Sequence, residues 1–208
     1  MNIKNRQTFT NEVRMKTRKA NIKRKTKETE ILINLKLNSL GDYDIKTGDE
    51  FFDHMLSQLA KHGNLDLAVR AKGDDIPDAH HLVEDVGIVL GDAFKKALDD
   101  KKGINRYGFG SAPMDDALVA VSVDFAGRPF LVYNSILEKK RIGYFDDDLA
   151  EEFFKAFTMS SGATLHLHKI CGKNPHHILE SAFKSFGRAI REAVTVTGKT
   201  IPSTKGSL

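Results

Sequence analysis

The chain has 208 residues, of which 40% are hydrophobic and 29% are charged, and its formal net charge at pH 7 is +4. A chain of this length can bury enough surface to fold without disulfides, and its single cysteine, Cys171, excludes an internal disulfide and a zinc site built from cysteines. Its apolar runs are short and its basic N-terminus has no apolar stretch, which argues against a membrane span and a secretion signal. We therefore expect a cytoplasmic protein.

The positive charge is concentrated at the N-terminus. Residues 1–27 carry ten Lys and Arg against one acidic residue, Glu12, so this segment is +9 and the remainder of the chain is −5. A basic arm can bind nucleic acid, but the single aromatic residue of this one, Phe9, offers no platform on which bases could stack. We expect a solvated tail that continues into a polar edge strand, and no nucleic-acid partner.

In the first half of the chain, the spacing of apolar residues predicts strands that alternate with helices. A period of two predicts a strand, and recurrence at three and four residues predicts a helix. In chain order, the predicted elements are a strand at residues 29–37, a helix at 50–62, a strand at 65–71 and a helix at 79–98. Gly63 is expected to end the first helix. We expect a loop at residues 41–48 and a turn with Pro77 at residues 72–78.

The second half follows a similar order. Its predicted elements are strands at residues 117–125 and 129–133, a helix at 149–159, a strand at 164–170 and a helix at 175–194. The order strand, helix, strand, turn, helix thus occurs twice. We expect two similar α+β halves, in which helices face helices between two sheets.

A literal repeat supports this duplication. The segments His80-His81-Leu82-Val83-Glu84 and His176-His177-Ile178-Leu179-Glu180 lie 96 residues apart, and each opens the longer helix of its half. We attribute the repeat to the duplication of a half-domain. The expected division of the chain is a basic extension at residues 1–17, half-domains at 18–102 and 103–197, and a polar tail at 198–208.

The repeat contains half of the eight histidines of the chain, which suggests metal binding. Residues three and four apart share one face of a helix, so either histidine of a pair can bind a metal together with the glutamate that follows. Two adjacent histidines point about 100° apart and can bind different metals. Six imidazoles and two carboxylates would furnish two sites of about four protein ligands each. The candidate ligands are His54, His80, His81, Glu84, His166, His176, His177 and Glu180.

Nitrogen and oxygen donors without a thiolate favour a hard or borderline divalent cation such as Mn²⁺, although zinc or iron can occupy the same set. The alternative is that these histidines lie on surfaces or at helix starts and bind no metal. His62 precedes Gly63 and can instead contact the last carbonyls of its helix. His168 shares a strand face with His166, but nothing in the sequence requires it as a ligand. We leave His62 and His168 out of the candidate set.

From about residue 18 to residue 208, the chain resembles the imidazoleglycerol-phosphate dehydratase family. The resemblance rests on residues 24–29 (RKTKET), 51–56 (FFDHML), 80–85 (HHLVED), 106–108 (RYG), 113–116 (PMDD), 127–129 (GRP), 172–180 (GKNPHHILE) and 202–206 (PSTKG). Ala79 departs from the pattern, because the family often has an acidic residue before the first histidine pair. This departure affects only a residue that would contact a metal ligand and not the metal itself.

The resemblance implies that imidazole glycerol phosphate is converted to imidazole acetol phosphate with loss of water, in histidine biosynthesis. It implies two Mn²⁺ ions per active site, held by the same eight residues. It also implies a large symmetric homo-oligomer of 24 subunits, with active sites between subunits. Each half would have the fold of ribosomal protein S5 domain 2, and the helices would pack between two four-stranded sheets.

The resemblance also implies roles for residues that the histidine pattern does not single out. Glu28 is the expected base for the carbon-bound proton, although from its surroundings in the sequence it would be a solvated carboxylate at a strand edge. The expected phosphate-binding residues supply cations and hydroxyls, as a phosphate requires. They are Arg106, Arg128, Lys184, Ser203 and Lys205. Gln58, one helical turn after His54, is a further candidate for contact with the substrate.

The implied chemistry explains why metals are needed. The proton to be removed is on a carbon that is not next to a carbonyl, so an enolate cannot form. A substrate imidazole bound by two metals is held as imidazolate, because metal binding lowers its proton affinity, and the imidazolate can expel the hydroxyl. The alternatives are a dinuclear metallohydrolase of a small phosphorylated substrate and a metal-binding assembly without catalysis. The continuous family resemblance argues against the first, and Glu28 with the phosphate-binding cations argues against the second.

Overall fold

The structure of the chain, a computed structural model, describes residues 17–73, 79–134, 136–137, 141–142 and 145–206. Residues 1–16 of the expected basic extension lie outside these ranges, as do residues 74–78 of the expected turn with Pro77 and the last two residues of the tail. Within the described ranges, no helix is both long enough and apolar enough to cross a bilayer.

The first half forms a four-stranded sheet with two helices. Its elements are β1 (Lys19–Lys25), β2 (Glu30–Lys36), β3 (Tyr43–Lys46), α1 (Glu50–Gly63), β4 (Asp66–Lys72) and α2 (His80–Leu98). The strand order is β1-β2-β4-β3, with β3 parallel to β4 and the other pairs antiparallel. β1 therefore lies at a sheet edge, as expected for the polar strand that continues the basic segment.

The second half repeats this arrangement. Its elements are β5 (Tyr107–Met114), β6 (Ala117–Asp124), β7 (Phe130–Tyr133), a small ribbon of β8 (Arg141–Ile142) and β9 (Phe145–Asp146), α3 (Asp147–Ser161), β10 (Thr164–Cys171) and α4 (Pro175–Val194). The order β5-β6-β10-β7 corresponds to that of the first sheet, with β7 parallel to β10 and the other pairs antiparallel. The predicted α+β fold with duplicated halves is confirmed.

Helices from the two halves pack against each other between the sheets. α2 lies on β1 and β2 and packs against α3, whereas α4 lies on β5 and β6 and packs against α1. Three fully buried rings join the helices: Phe153 packs edge-on against Phe52 at 5.5 Å and stacks with Phe183 at 5.3 Å between centroids. Each such pair adds about 0.5–1.5 kcal/mol beyond the burial of the rings. One hydrophobic core therefore joins the two halves.

The predicted helices and the strands at residues 29–37, 65–71, 117–125, 129–133 and 164–170 are confirmed within a few residues. The loop predicted at residues 41–48 is partly wrong, because it contains β3. The strand has only four residues, of which Ile45 alone is partly buried, so it is too short to give a clear apolar pattern. The predicted end of the first helix shifts by one residue, because Asn64 adopts the left-handed conformation, with φ 51°, and its N–H caps the helix.

The apolar pattern does not predict β5, because glycines occupy two of its inward positions. Gly108 and Gly110 are buried and face α4. A Cβ on Gly108 would lie 1.9 Å from the carbonyl oxygen of Ala189, and a Cβ on Gly110 would lie 1.9 Å from that of Ser185. The strand therefore lies directly on the backbone of the helix, where a side chain does not fit.

Candidate metal and catalytic site

α1 and α4 bring together three predicted metal ligands from the two halves of the chain. His54 lies in α1, and His176 and Glu180 lie one turn apart at the start of α4. Nε2 of His54 is 3.3 Å from Oε2 of Glu180, and Nε2 of His176 is 3.2 Å from the same oxygen. All three donor atoms lie within 4.8 Å of one another. Two partly exposed imidazoles and a carboxylate at this spacing can hold a divalent cation with an open side for a substrate. We call these three residues the α1–α4 cluster.

The carboxylate of Glu180 is stabilised as an anion. Its side chain is 8% exposed, and its Oε1 accepts a hydrogen bond of 2.7 Å from Nζ of Lys184. Burial alone would raise the pKa of Glu180, but the hydrogen bonds from Lys184 and His54 and the charge of Lys184 bring this pKa below its ordinary value. The cluster therefore offers a charged ligand at neutral pH.

The start of α4 is defined by its N-cap. Oδ1 of Asn174 accepts a hydrogen bond of 3.0 Å from the backbone N–H of His176. Pro175 follows at the first helical position, where its missing N–H removes no helical hydrogen bond. The rings of His176 and His177 lie 6.2 Å apart at 79° to each other, so the adjacent histidines point in different directions.

His177 contacts the turn between β5 and β6 and does not take part in the α1–α4 cluster. Its Nδ1 lies 2.7 Å from Oδ1 of Asp116, and its Nε2 lies 3.6 Å from Oδ2 of Asp115. The second oxygen of Asp116 accepts hydrogen bonds from the backbone N–H groups of Lys173 and Asn174. The hydrogen bonds from the Lys173 backbone and from His177 lower the pKa of Asp116 to about 2. A carboxylate in this position orients an imidazole in the way that metal-binding histidines require.

The other copy of the motif opens α2 without a side-chain cap. Ala79, at the N-cap position, makes no side-chain hydrogen bond and has φ 35°. The rings of His80 and His81 lie 6.1 Å apart and nearly perpendicular, and Glu84 is partly buried one turn later. Oε2 of Glu28, in the loop between β1 and β2, lies 3.7 Å from Nδ1 of His81, and the Glu28 side chain is 55% exposed. The predicted base therefore lies beside a pair of predicted ligands.

His166 lies on the outer face of the second sheet. The neighbouring Leu165 and Leu167 are buried towards the helices, so alternation along β10 directs His166 and His168 to the opposite side. The centroids of these two rings are 6.1 Å apart, and Nδ1 of His168 lies 2.9 Å from Nδ2 of Asn134. His166 therefore faces away from the helix layer of its own chain.

Three of the predicted phosphate-binding residues are linked near the C-terminus. Nε and Nη2 of Arg106 pair with the carboxylate of Asp124, and Nη1 donates to the backbone carbonyl of Pro202 at 3.1 Å. Arg106 is only 9% exposed, and it joins β6 to the segment that carries Ser203 and Lys205. Its contacts within the chain anchor the tail.

The remaining predicted substrate contacts lie on other elements. Arg128 is exposed in the loop between β6 and β7. Gln58 and Lys184 each lie one helical turn after a member of the α1–α4 cluster, Gln58 after His54 and Lys184 after Glu180. These two side chains therefore border the cluster.

Among the described residues, the α1–α4 cluster is the one group of three His, Cys, Asp or Glu side chains that is close enough to hold a metal. One chain thus assembles three of the eight predicted ligands, and the other five lie on α2, on β10 and at His177. The histidine pattern does not predict Asp116. A pair of adjacent acidic residues in a tight turn between two strands is the signal that could have identified it.

Comparison with known proteins adds independent information. A family model described as imidazoleglycerol-phosphate dehydratase matches residues 47–190. The imidazoleglycerol-phosphate dehydratases of Caldanaerobacter subterraneus subsp. tengcongensis and Ruegeria pomeroyi are 54% and 52% identical to this chain over 193 and 194 residues. Both alignments cover 92% of this chain and 100% of the relative. The matched region contains all eight predicted ligands.

Two solved structures are similar to this one. Imidazoleglycerol-phosphate dehydratase from Staphylococcus aureus superposes with a TM-score of 0.76 at 39% identity, over 85% of this chain and 98% of that chain. The enzyme from Pyrococcus furiosus, solved in complex with (S)-C348, gives a TM-score of 0.76 at 37% identity, over 90% and 100%. The fold therefore agrees over nearly the whole length of both solved structures.

We expect Glu180→Gln to weaken Mn²⁺ binding by more than about tenfold, because it removes the negative charge at the centre of the α1–α4 cluster. Titration of the metal-free protein with Mn²⁺, followed by electron paramagnetic resonance of the free ion, measures this change. Glu192→Gln is a matched control, because Glu192 is an exposed carboxylate three turns further along the same helix. Unchanged Mn²⁺ binding by Glu180→Gln would exclude Glu180 as a ligand.

Proposed function

The chain belongs to the imidazoleglycerol-phosphate dehydratase family, and we propose that it dehydrates imidazole glycerol phosphate to imidazole acetol phosphate in histidine biosynthesis. The observation that carries this proposal is the α1–α4 cluster, because two imidazoles and an anionic carboxylate meet in the region that the family model matches. We further propose that the protein works in the cytoplasm, and that residues 198–208 form a substrate-binding tail after half-domains at 18–102 and 103–197.

We infer that the cofactor is Mn²⁺, with two ions per active site. The donor chemistry fits, since the candidate ligands offer imidazole nitrogens and carboxylate oxygens. The residues that would hold the ions are His54, His80, His81, Glu84, His166, His176, His177 and Glu180. When bound, Mn²⁺ would lower the proton affinity of the substrate's imidazole nitrogens, so that the ring loses its proton and, as imidazolate, can supply the electrons that expel the hydroxyl.

Glu28 is the proposed base. The hydrogen to be removed is bound to carbon, and a carboxylate must reach it within hydrogen-bonding distance to accept it as a proton. The exposed carboxylate of Glu28, 3.7 Å from the ring of His81, is accessible to a substrate at the start of α2. The hydroxyl on the neighbouring carbon leaves with the electrons that the imidazole ring supplies, and the proton that Glu28 takes from carbon is passed on to it to form water. The enol that remains becomes the ketone by proton transfer.

The phosphate group is assigned to the cations and hydroxyl at the family's phosphate-binding positions. Arg128 and Lys205 are exposed and can form charge-assisted hydrogen bonds to a phosphate. Ser203 adds a hydroxyl, and Arg106 holds its segment through the carbonyl of Pro202. Lys184, beside Glu180, is the cation of this group that borders the α1–α4 cluster.

We propose that the active sites lie between subunits of a large symmetric homo-oligomer, of 24 chains as in the family. The support is the distribution of the ligands, since His166 faces away from the helix layer and the start of α2 does not join the α1–α4 cluster. A closed assembly can bring an outward-facing histidine of one chain to the helix start of another. No macromolecular partner other than copies of this chain is part of the proposal.

Removal of divalent metal by a chelator should abolish the formation of imidazole acetol phosphate, and addition of Mn²⁺ should restore it. The reaction requires a divalent cation bound to the substrate's imidazole, and an enzyme stripped of its metal has no such cation to offer. Product formation is followed directly, in parallel with release of inorganic phosphate. Phosphate release without the ketone would support a metallohydrolase, and metal binding without any product would support a non-catalytic assembly. Full activity in a metal-free preparation would refute metal dependence.

Glu28→Gln should lower kcat by about 10²–10⁴-fold and leave the Mn²⁺ content unchanged, because it removes the proton acceptor without altering a ligand. Turnover and bound metal are measured on the same preparation. The control is Glu30→Gln, since the partly exposed carboxylate of Glu30 pairs with Lys23 and Lys25 and has no proposed catalytic role. Normal turnover by Glu28→Gln would mean that another group is the base.

Assembly should depend on metal, because a cation that binds only the assembled form shifts oligomerisation by mass action. Light scattering of the native protein should show a loss of mass on chelation and recovery with Mn²⁺. His80→Ala combined with His176→Ala should lower both the metal content and the assembled mass. A mass that stays constant under all these conditions would contradict metal-bridged assembly and leave the dehydratase assignment intact.

A further inference from the structure

Asp85 is a nearly buried carboxylate close to Glu28 to which the proposed mechanism assigns no role. It is 8% exposed and lies in α2, four residues after His81 and on the same helical face. Its Oδ1 accepts a hydrogen bond of 2.9 Å from Nε of Arg24, and its Oδ2 accepts one from the hydroxyl of Thr29. Arg24 belongs to β1 and Thr29 precedes β2, so one carboxylate joins α2 to both sides of the loop that carries Glu28.

Two threonines continue this network into the loop itself. Oγ1 of Thr26 accepts hydrogen bonds from the backbone N–H groups of Glu28, at 3.1 Å, and of Thr29, at 2.9 Å. The N–H of Thr26 donates to the carbonyl of Thr29 at 2.9 Å, which closes the loop. These bonds fix the backbone on both sides of Glu28.

The direction of each hydroxyl hydrogen follows from the available donors. The hydroxyls of Thr26 and Thr29 lie 3.2 Å apart, and each has one hydrogen to donate. Because the hydroxyl of Thr29 donates its one hydrogen to Asp85, the hydroxyl of Thr26 must donate to Thr29. A continuous chain of hydrogen bonds thus leads from Asp85 through both hydroxyls to the backbone N–H of Glu28.

We propose that Asp85, acting through Thr29 and Thr26, is a positioning residue that holds Glu28 beside the histidine pair of α2. This inference rests on the proposed role of Glu28 as the base. The Glu28 side chain is 55% exposed and receives little restraint from packing, so its backbone attachment determines where the carboxylate lies. A displacement of about 1 Å can slow a proton transfer by about 100-fold.

The decisive variants are Thr29→Val and Thr29→Ser. Valine has nearly the shape of threonine but no hydroxyl, whereas serine keeps the hydroxyl and loses a methyl group. Thr29→Val should lower kcat by about 10- to 100-fold, with KM and the Mn²⁺ content unchanged. Thr29→Ser should retain most of kcat. Equal loss of kcat in both variants would overturn the proposal, because it would point to packing at this buried position.

A substrate deuterated at the carbon that loses its proton separates positioning from a general structural defect. In Thr29→Val the deuterium isotope effect on kcat should rise, since slower proton transfer then limits turnover more strongly. A smaller fraction of active enzyme would lower the rate and leave the isotope effect at the wild-type value. An unchanged isotope effect in Thr29→Val therefore overturns the proposal.

Asp85→Asn repeats the test if Thr29→Val does not fold. The amide keeps the volume of the side chain, but it has one acceptor oxygen for the two donors, Arg24 and Thr29. It should show the same loss of kcat and the same rise in the isotope effect, and wild-type values for both would overturn the proposal. Ser39→Ala is the matched control, since it removes a hydroxyl that donates to a carboxylate, Asp66, in the same half of the chain.

The Glu28→Gln result distinguishes the two levels of inference. If Glu28→Gln is active, the base has been assigned wrongly, and the positioning proposal fails with it. If Glu28→Gln is inactive and Thr29→Val behaves as wild type, the positioning proposal alone fails.

Discussion

The contact between α1 and α4 is the constraint on which the site depends, because these helices belong to different halves of the chain. α1 supplies His54, and α4 supplies His176 and Glu180. Glu180 is buried where the helices meet, and a buried carboxylate without a partner would cost about 3–5 kcal/mol. The ammonium group of Lys184 compensates that charge from the next turn of α4. The α1–α4 cluster therefore exists only when the two halves pack in one relative position.

The two copies of the histidine motif have the same place in the topology but different surroundings. At α4, Asn174 caps the helix and Asp116 contacts the ring of His177. At α2, Ala79 offers no side-chain cap, and the contact of His81 is with Glu28. Duplication thus supplied two equivalent helix starts. Substitutions around them allow one to hold a well-oriented imidazole and the other to lie beside Glu28, the proposed base.

In each half, a carboxylate joins the first hairpin of the sheet to the helix that carries the histidine pair. In the first half it is Asp85 on α2, which reaches the loop between β1 and β2. In the second half it is Asp116, in the turn between β5 and β6, which reaches the start of α4. The carboxylate lies on the helix in the first half and in the turn in the second half. In both halves, the contact restrains a loop against the helix that carries the histidine pair. Restraint of this kind reduces the conformational freedom that a reacting group would otherwise have to lose.

The sequence by itself determined the elements with strong periodicity, the duplication and the identity of the candidate ligands, because these depend on local spacing along the chain. It did not reveal β5, since Gly108 and Gly110 are selected by the close approach of the α4 backbone and carry no apolar signal. Nor did it reveal which ligands meet. Only the tertiary structure decided that His54, His176 and Glu180 come together while His166 faces outward, because the packing of the helices and the alternation of β10 set these directions. The network from Asp85 to Glu28 also depended on the fold, since hydrogen bonds between residues 56 and 61 positions apart leave no periodic trace in a sequence.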